Sequence, residues 1–340
     1  MFYPFVSACT KTATKVESGQ FEAGRSELTT ENSILQWQLT RQCRRALKCA
    51  TTFRLTLATV CVFSGCSPSR TERAAIQDDF GHAVRLGAAP SRIVSLNPAT
   101  TEILFTLGAG SRLVGRSQYD LWPDSARLIP ALGDGIRPNV EVVLGKKPDL
   151  VILYASADNR AAADRLRAAG VGTLSLKIDS IAEFRRATQL LGAILRDSLR
   201  ARLVIDSVYG TLDRVRATTA KLPRPDVFWH VWDAPLITIG GGSFMNELVD
   251  IAGARNVYAD IPEPSKAISL EDVAKRDPDF ILAGPIGADQ IRDDPRWKIV
   301  RAARDGKVLT VDTLLVARPS VRLGEAAVSL ARLFHPGAFR

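Results

Sequence analysis

The sequence predicts an α/β protein of two small lobes, each a parallel-type sheet flanked by helices. One long rigid helix joins them, with a ligand cleft between. Three observations predict this. Short β-branched runs alternate with helical stretches in both halves, the signature of a parallel sheet wrapped by helices. Leu150-Val-Ile-Leu-Tyr154 is continuously apolar, as a strand buried on both faces requires. The stretch 181–218 carries few helix breakers and separates the two halves.

The first half opens with Arg92-Ile-Val-Ser-Leu96, a β-branched strand. Asn97-Pro98 then sets a helix cap and a proline in the first turn, and Glu102 is placed early enough to favour the helix dipole. That helix runs Ala99–Leu107 and stops at Gly108. A strand at 112–115, a helix at 140–144, a strand at 148–154, a helix at 161–169 and a strand at 173–176 complete the half. The central stretch reads as helices at 181–195 and 198–218, with Leu199, Leu203, Val208, Leu212 and Val215 as the recurring apolar positions. Pro223 and Pro225 end it. The second half repeats the α/β logic: strand 227–231, the turn Gly240-Gly-Gly242, helix 243–251, helix 269–275, strand 280–283, strand 307–311 and a closing helix 321–334. Residues 1–65 are assigned to a leader and 66–90 to a tether and the start of the domain. The N-terminal lobe takes 91–196, the bridging helix 197–221 and the C-terminal lobe 222–340.

The leader has its own logic. All five cysteines lie within it or at its end, and Cys66 closes the apolar run Leu55-Thr-Leu-Ala-Thr-Val-Cys-Val-Phe-Ser-Gly-Cys66 behind a basic flank of Arg41, Arg44, Arg45, Lys48 and Arg54. The run is shorter than the roughly 20 residues a bilayer span needs, so it reads as a lipoprotein export signal. Cys66 is the expected lipidation site, and the folded part is expected outside the cytoplasm, held on a membrane by that lipid. The polar residues ahead of the signal are read as an extension from a start codon placed too far upstream.

Composition narrows the function. The formal charge is +9, about half of it in the leader, and the remaining basic residues are scattered among acids. No basic stripe with interleaved aromatics is present, which argues against nucleic acid. With no cysteine after Cys66 and only His82, His230 and His335, no Cys- or His-based metal site is expected. No His-Glu-x-x-His motif, Walker-type phosphate loop or Gly-x-Ser-x-Gly elbow occurs, so the chain is not expected to be an enzyme or to carry a cofactor. Gly240-Gly-Gly242 reads as a tight turn rather than an anion site.

From Asp79 to Pro336 the chain resembles the solute-binding proteins of ABC importers for cobalamin and iron-siderophore complexes. The resemblance rests on the order and spacing of several segments. These are Arg92-Ile-Val-Ser-Leu-Asn-Pro-Ala-Thr-Thr-Glu-Ile-Leu-Phe-Thr-Leu-Gly-Ala-Gly110, Pro138-Asn-Val-Glu141, Lys147-Pro-Asp-Leu-Val-Ile152, Ile268-Ser-Leu-Glu-Asp-Val273 and Arg322-Leu-Gly-Glu-Ala-Ala327. The first is most similar to the cobalamin branch. The resemblance implies a monomeric protein that captures a bulky solute between its lobes and hands it to a permease dimer in the membrane. It also implies that Glu141 and Glu271, one per lobe, dock on that permease, as carboxylates that fix orientation on a two-fold partner.

A corrinoid has apolar faces and amide-bearing edges, so its pocket should offer aromatic walls and a few polar groups. Tyr119 and Trp122 lie in a loop where the family places aromatic contacts. Trp229 and Trp232 flank the end of a strand, where α/β proteins bind ligands. Alternation sends Trp229 and Val231 to one face and His230 and Trp232 to the other, so at least one of the two tryptophans belongs to the core. Trp232 is assigned to the cleft, and Trp229 stays open between cleft and core. Trp297 is assigned to packing under a helix. Asp312 and Arg318 match a segment that offers an aspartate and an arginine to the ligand in cobalamin binders, although the aromatic after the aspartate is missing here. A ferric-siderophore or haem carrier of the same family is the alternative, and a lipoprotein enzyme the more distant one.

Overall fold

A computed structural model describes residues 76–84 and 87–339. The export signal, its basic flank and Cys66 lie outside the described residues. The chain enters through a small hairpin of β1 (Ile76–Gln77) and β2 (Ala83–Val84). The N-terminal lobe then runs β3 (Ile93–Ser95), α1 (Pro98–Thr106), β4 (Leu113–Arg116), α2 (Val140–Leu144), β5 (Leu150–Tyr154), α3 (Ala157–Ala168) and β6 (Gly172–Leu176). Its four strands are all parallel, in the order β4-β3-β5-β6. Helices on both faces leave β5 almost wholly buried, as its unbroken apolar run requires.

Two helices follow, α4 (Ile181–Leu195) and α5 (Ser198–Thr219). They are separate because Arg196 adopts a left-handed conformation and the Asp197 side chain caps α5 through the Arg200 amide. Gly192 permits their close packing: a Cβ there would lie 2.4 Å from that of Ala201. The buried stripe of α5 is Ala201, Ile205, Val208, Leu212, Val215 and Thr219, at alternating steps of four and three. Leu199 and Leu203, expected on that stripe, are instead 69% and 61% exposed. The stripe is set by the small Ala201 against Gly192, and it rotates both leucines outward.

The C-terminal lobe contains β7 (Asp226–Asp233), β8 (Leu236–Ile239), α6 (Phe244–Ile251), β9 (Arg255–Asn256), β10 (Ser265–Ala267), α7 (Leu270–Arg276), β11 (Phe280–Ala283), α8 (Pro285–Asp293), α9 (Arg301–Arg304), β12 (Val308–Thr310), α10 (Thr313–Val316) and α11 (Leu323–Phe334). Its sheet is mixed. Strands β9, β7, β11 and β12 are parallel, while β8 and β10 add an antiparallel flank. The three glycines 240–242 make that flank possible. A Cβ on any of them would come within 2.4 Å of a carbonyl oxygen of the 259–263 segment, so they are a close approach of two backbones.

Both lobes belong to one compact unit. One apolar cluster runs through both, from Ile93, Ile103 and Leu150 through the inner faces of α4, α5 and α11 to Val227, Trp229 and Leu282. The outer face of each sheet has a smaller cluster of its own.

Candidate functional site between the lobes

The candidate site lies at the carboxyl ends of the strands, and the two lobes furnish it differently. In the N-terminal lobe β3 ends in Ser95, and the Asn97 side chain caps α1 by accepting from the Ala99 amide at 3.0 Å. Behind that cap the hydroxyls of Ser95, Thr100 and Thr101 are linked at 2.7 and 2.8 Å. At the end of β4, Arg116 donates to the carbonyls of Ile129 and Ser117 at 3.0 and 2.7 Å and so pins the loop that carries Tyr119, Asp120 and Trp122. The hydroxyls of Ser117 and Thr101 both bond the Asp120 carboxylate, which is 0% exposed. Burial pushes that carboxyl up to about 6, against the pull of these donors.

Glu102 departs from expectation. It falls in the second turn of α1, beyond reach of a dipole role, and is 1% exposed. Its Oε1 accepts from Arg318 at 3.3 Å, and its Oε2 accepts from the Ser320 hydroxyl. Both partners come from the other lobe. Burial raises the Glu102 carboxyl above the usual carboxylate range, with Arg318 opposing. Arg318 also donates to the Tyr119 carbonyl at 3.3 Å, and its side chain is 12% exposed. The guanidinium of Arg322 lies over the Trp122 ring, 5.4 Å from its centroid, and is itself bonded to Glu325 at 2.8 Å. Tyr119, Trp122 and Arg318 are thus brought together across the lobes. Trp122 is partly exposed, whereas Tyr119 is buried.

In the C-terminal lobe β7 runs past its neighbour: Leu282 of β11 pairs with Trp229, and His230 to Asp233 extend beyond into the hairpin with β8. Trp232 is partly exposed there, its indole donating to the Ala234 carbonyl at 3.1 Å. Trp229, left open by alternation, is packed into the shared core at 4% exposure and has almost no face to offer a solute. His230 is buried, bonded through Nε2 to Asp233 at 2.8 Å and packed edge-on against Trp297. Asp312 is exposed, but its Oδ1 caps α10 by accepting from the amides of Leu314 and Leu315.

The two docking candidates occupy matching places. Glu141 is the second residue of α2 behind an Asn139 cap, and Glu271 the second residue of α7 behind a Ser269 cap. Both are exposed. Glu141 is paired with Arg165 at 2.5 Å. The Glu271 carboxyl is held below the usual range by its own backbone amide and the Ser269 hydroxyl.

A cavity of about 350 Å³ lies elsewhere, at the amino ends of β7 and β9, lined by Asp226, Arg255, Asn256, Asp260 and Arg276. Its arginines are already bound to Asp226 and Asp260, and it lies at the opposite ends of these strands from the candidate site. Among the described residues no cluster of His, Cys, Asp and Glu suits a metal ion, and no helix is long and apolar enough to cross a membrane.

Residues 93–314 match the periplasmic binding protein family. The chain belongs to that family, the solute-binding components of ABC importers. An ABC transporter substrate-binding lipoprotein of Bacillus subtilis, itself uncharacterized, is 30% identical over 78% of this chain and 86% of its own length. A cobalamin-binding protein of Halobacterium salinarum is 29% identical over 76% of this chain and 73% of its own. Among solved structures, the apo periplasmic haem-binding protein RhuT of Roseiflexus sp. RS-1 superposes with a TM-score of 0.67 at 25% identity, over 73% of this chain and 99% of that one. The two-lobed fold is shared with that structure.

Sequence reasoning missed Glu102, Asp120 and Ser320 as members of the interlobe site. A glutamate following two threonines early in an apolar helix was the available signal. Its partner lies 216 residues away, beyond any local pattern.

Proposed function

We propose that the chain is an extracytoplasmic lipoprotein that captures a corrinoid between its lobes and delivers it to an ABC permease. The observation that carries the choice of solute is the state of the charges beside the cleft. Arg318 is bonded to Glu102 and Arg322 to Glu325, so neither is offered to an anionic chelate. The aromatic rings of Trp122 and Trp232, one per lobe, suit a large solute with apolar faces. Haem iron would want an imidazole or phenolate; His230 is buried and bonded to Asp233, and Tyr119 is buried as well. The cobalamin-binding relative agrees with this reading. Tyr119 contributes as the support of the Trp122 loop. Asp312 and Arg318 serve the protein first, as a helix cap and an interlobe contact, and are secondary ligand groups.

Glu141 and Glu271 are the proposed docking pair for the two halves of the permease, and lipid on Cys66 is the proposed anchor. Titration of the purified protein with cyanocobalamin, cobinamide, haem and a ferric hydroxamate, read by tryptophan fluorescence, tests the solute. Saturable quenching by the two corrinoids is expected. Quenching by haem or the hydroxamate alone transfers the function to that chelate. Charge reversal at Glu141 and Glu271 together should abolish uptake and leave solute affinity unchanged; lost affinity would remove the docking role.

A further inference from the structure

Besides α5 and the shared apolar cluster, the two lobes are tied by a buried polar contact. Glu102 on α1 receives Arg318 and Ser320 from the short stretch between α10 and α11, and all three side chains are withdrawn from solvent. The receptacle is built rather than incidental. One nitrogen of Arg318 serves both the Glu102 carboxylate and the Tyr119 carbonyl. Asp120 lies near enough to feel the Arg318 charge and is itself fixed by Ser117 and Thr101. Pro319, between the two donors, restricts the backbone that presents them. Four residues on, Arg322 reaches the same lobe by a different chemistry, over the Trp122 ring. A carboxylate buried this deeply needs its partners, so parting the lobes means exchanging the whole set for water at once.

We propose that Glu102, Arg318 and Ser320 form a latch that holds the lobes together in the absence of solute and whose parting gates access to the cleft. The latch joins α1 of one lobe to the stretch between α10 and α11 of the other, whereas α5 joins the lobes covalently. Glu102 and Arg318 therefore act on each other's lobe. Loss of either should loosen both sides together, whichever solute the cleft accepts.

Amide hydrogen exchange on the full chain, without any solute, tests this. Glu102→Gln and Arg318→Met should each speed exchange roughly tenfold in both the 117–122 and the 317–322 segments, while the sheet strands 150–154 and 281–283 stay within about twofold of the parent. The double variant should add little to either single one. Ser320→Ala, which removes one donor and no charge, should give the same two-sided pattern at smaller amplitude. Acceleration confined to the lobe that carries the substitution overturns the latch, as does unchanged exchange in both segments. If the charge variants loosen the sheet strands as well, Ser320→Ala decides: a two-sided local effect upholds the latch, and a uniform or absent one overturns it.

Discussion

The two lobes share a plan at the beginnings of their strands and part company at the ends. In the N-terminal lobe Asn139 caps a short helix, Glu141 is its second residue, Lys147 turns left-handed, and Asp149 receives the Arg92 amide at the start of β3. In the C-terminal lobe Ser269, Glu271, Asp277 and Asp279 repeat those roles, Asp279 receiving the Asp226 amide at the start of β7. Register agrees, with Ile93 opposite Leu150 and Val227 opposite Phe280. At the carboxyl ends the likeness stops. One lobe has buried hydroxyls and carboxyls around Asp120 and Glu102. The other has an aromatic group of Phe228, His230 and Trp297 beneath an extended hairpin. If Glu141 and Glu271 dock as proposed, the duplicated frame is the part that meets a two-fold partner, whereas surfaces that face a single asymmetric solute are free to differ.

Four comparisons sharpen this contrast. The largest effect is expected within β7 itself. Trp229→Ala should destabilise the protein by about 3–5 kcal/mol in urea unfolding, because the ring fills the shared core. Trp232→Ala should cost less than about 1 kcal/mol and instead weaken solute binding; equal destabilisation would place both rings in the core. The next is a dependence on pH that takes opposite senses at Asp120 and Asp279. Asp120 has a folded value of about 6 against an ordinary 3.8, so between those values the folded chain holds a proton the unfolded chain has lost. Its contribution therefore falls as pH rises through that window, by on the order of 3 kcal/mol, and Asp120→Asn should flatten the slope. Asp279 behaves oppositely: the Asp226 amide holds its carboxyl low, so its contribution is present above the ordinary range and lost as pH falls. An unfolding series from pH 2 to 7 on Asp120→Asn and Asp279→Asn separates the two.

The third comparison tests the duplicated frame. Asp149→Ala and Asp279→Ala each strip a strand start of its acceptor and should cost about 1–3 kcal/mol apiece, to a similar extent. A cost in only one lobe would make the repeat a coincidence of sequence. The smallest effect is expected on the exposed face of α5, where Leu203→Ala should stay within about 0.5 kcal/mol while Ile205→Ala, on the buried stripe, costs about 2–5 kcal/mol.

What was legible in the sequence follows the same division. Elements with strong local signals were readable: α1 from its Asn97-Pro98 start, α4 and α5 as helices from the scarcity of breakers, β5 from its apolar run. The antiparallel flank was not, because β8 and β10 are short and owe their place to the three glycines 240–242 rather than to their own pattern. Helix α8 was hidden by Gly284-Pro285, which reads as a stop but here supplies the start of a helix. The face of α5 was misjudged since Leu199 and Leu203 are apolar yet lie one side of a stripe fixed by Ala201. At the site, alternation correctly divided Trp229 from Trp232. The Glu102 pairing is decided by tertiary contact, and a dipole reading from the helix alone could not find it.

The central claim is that cargo is held between the unlike strand ends while the duplicated frame stays outside. Amide exchange of the protein with and without saturating cyanocobalamin tests it most directly. The account predicts slowed exchange in both the 117–122 loop and the 230–238 hairpin, with 139–145 and 269–276 unchanged. Protection limited to one lobe, or centred on α2 and α7, would contradict it.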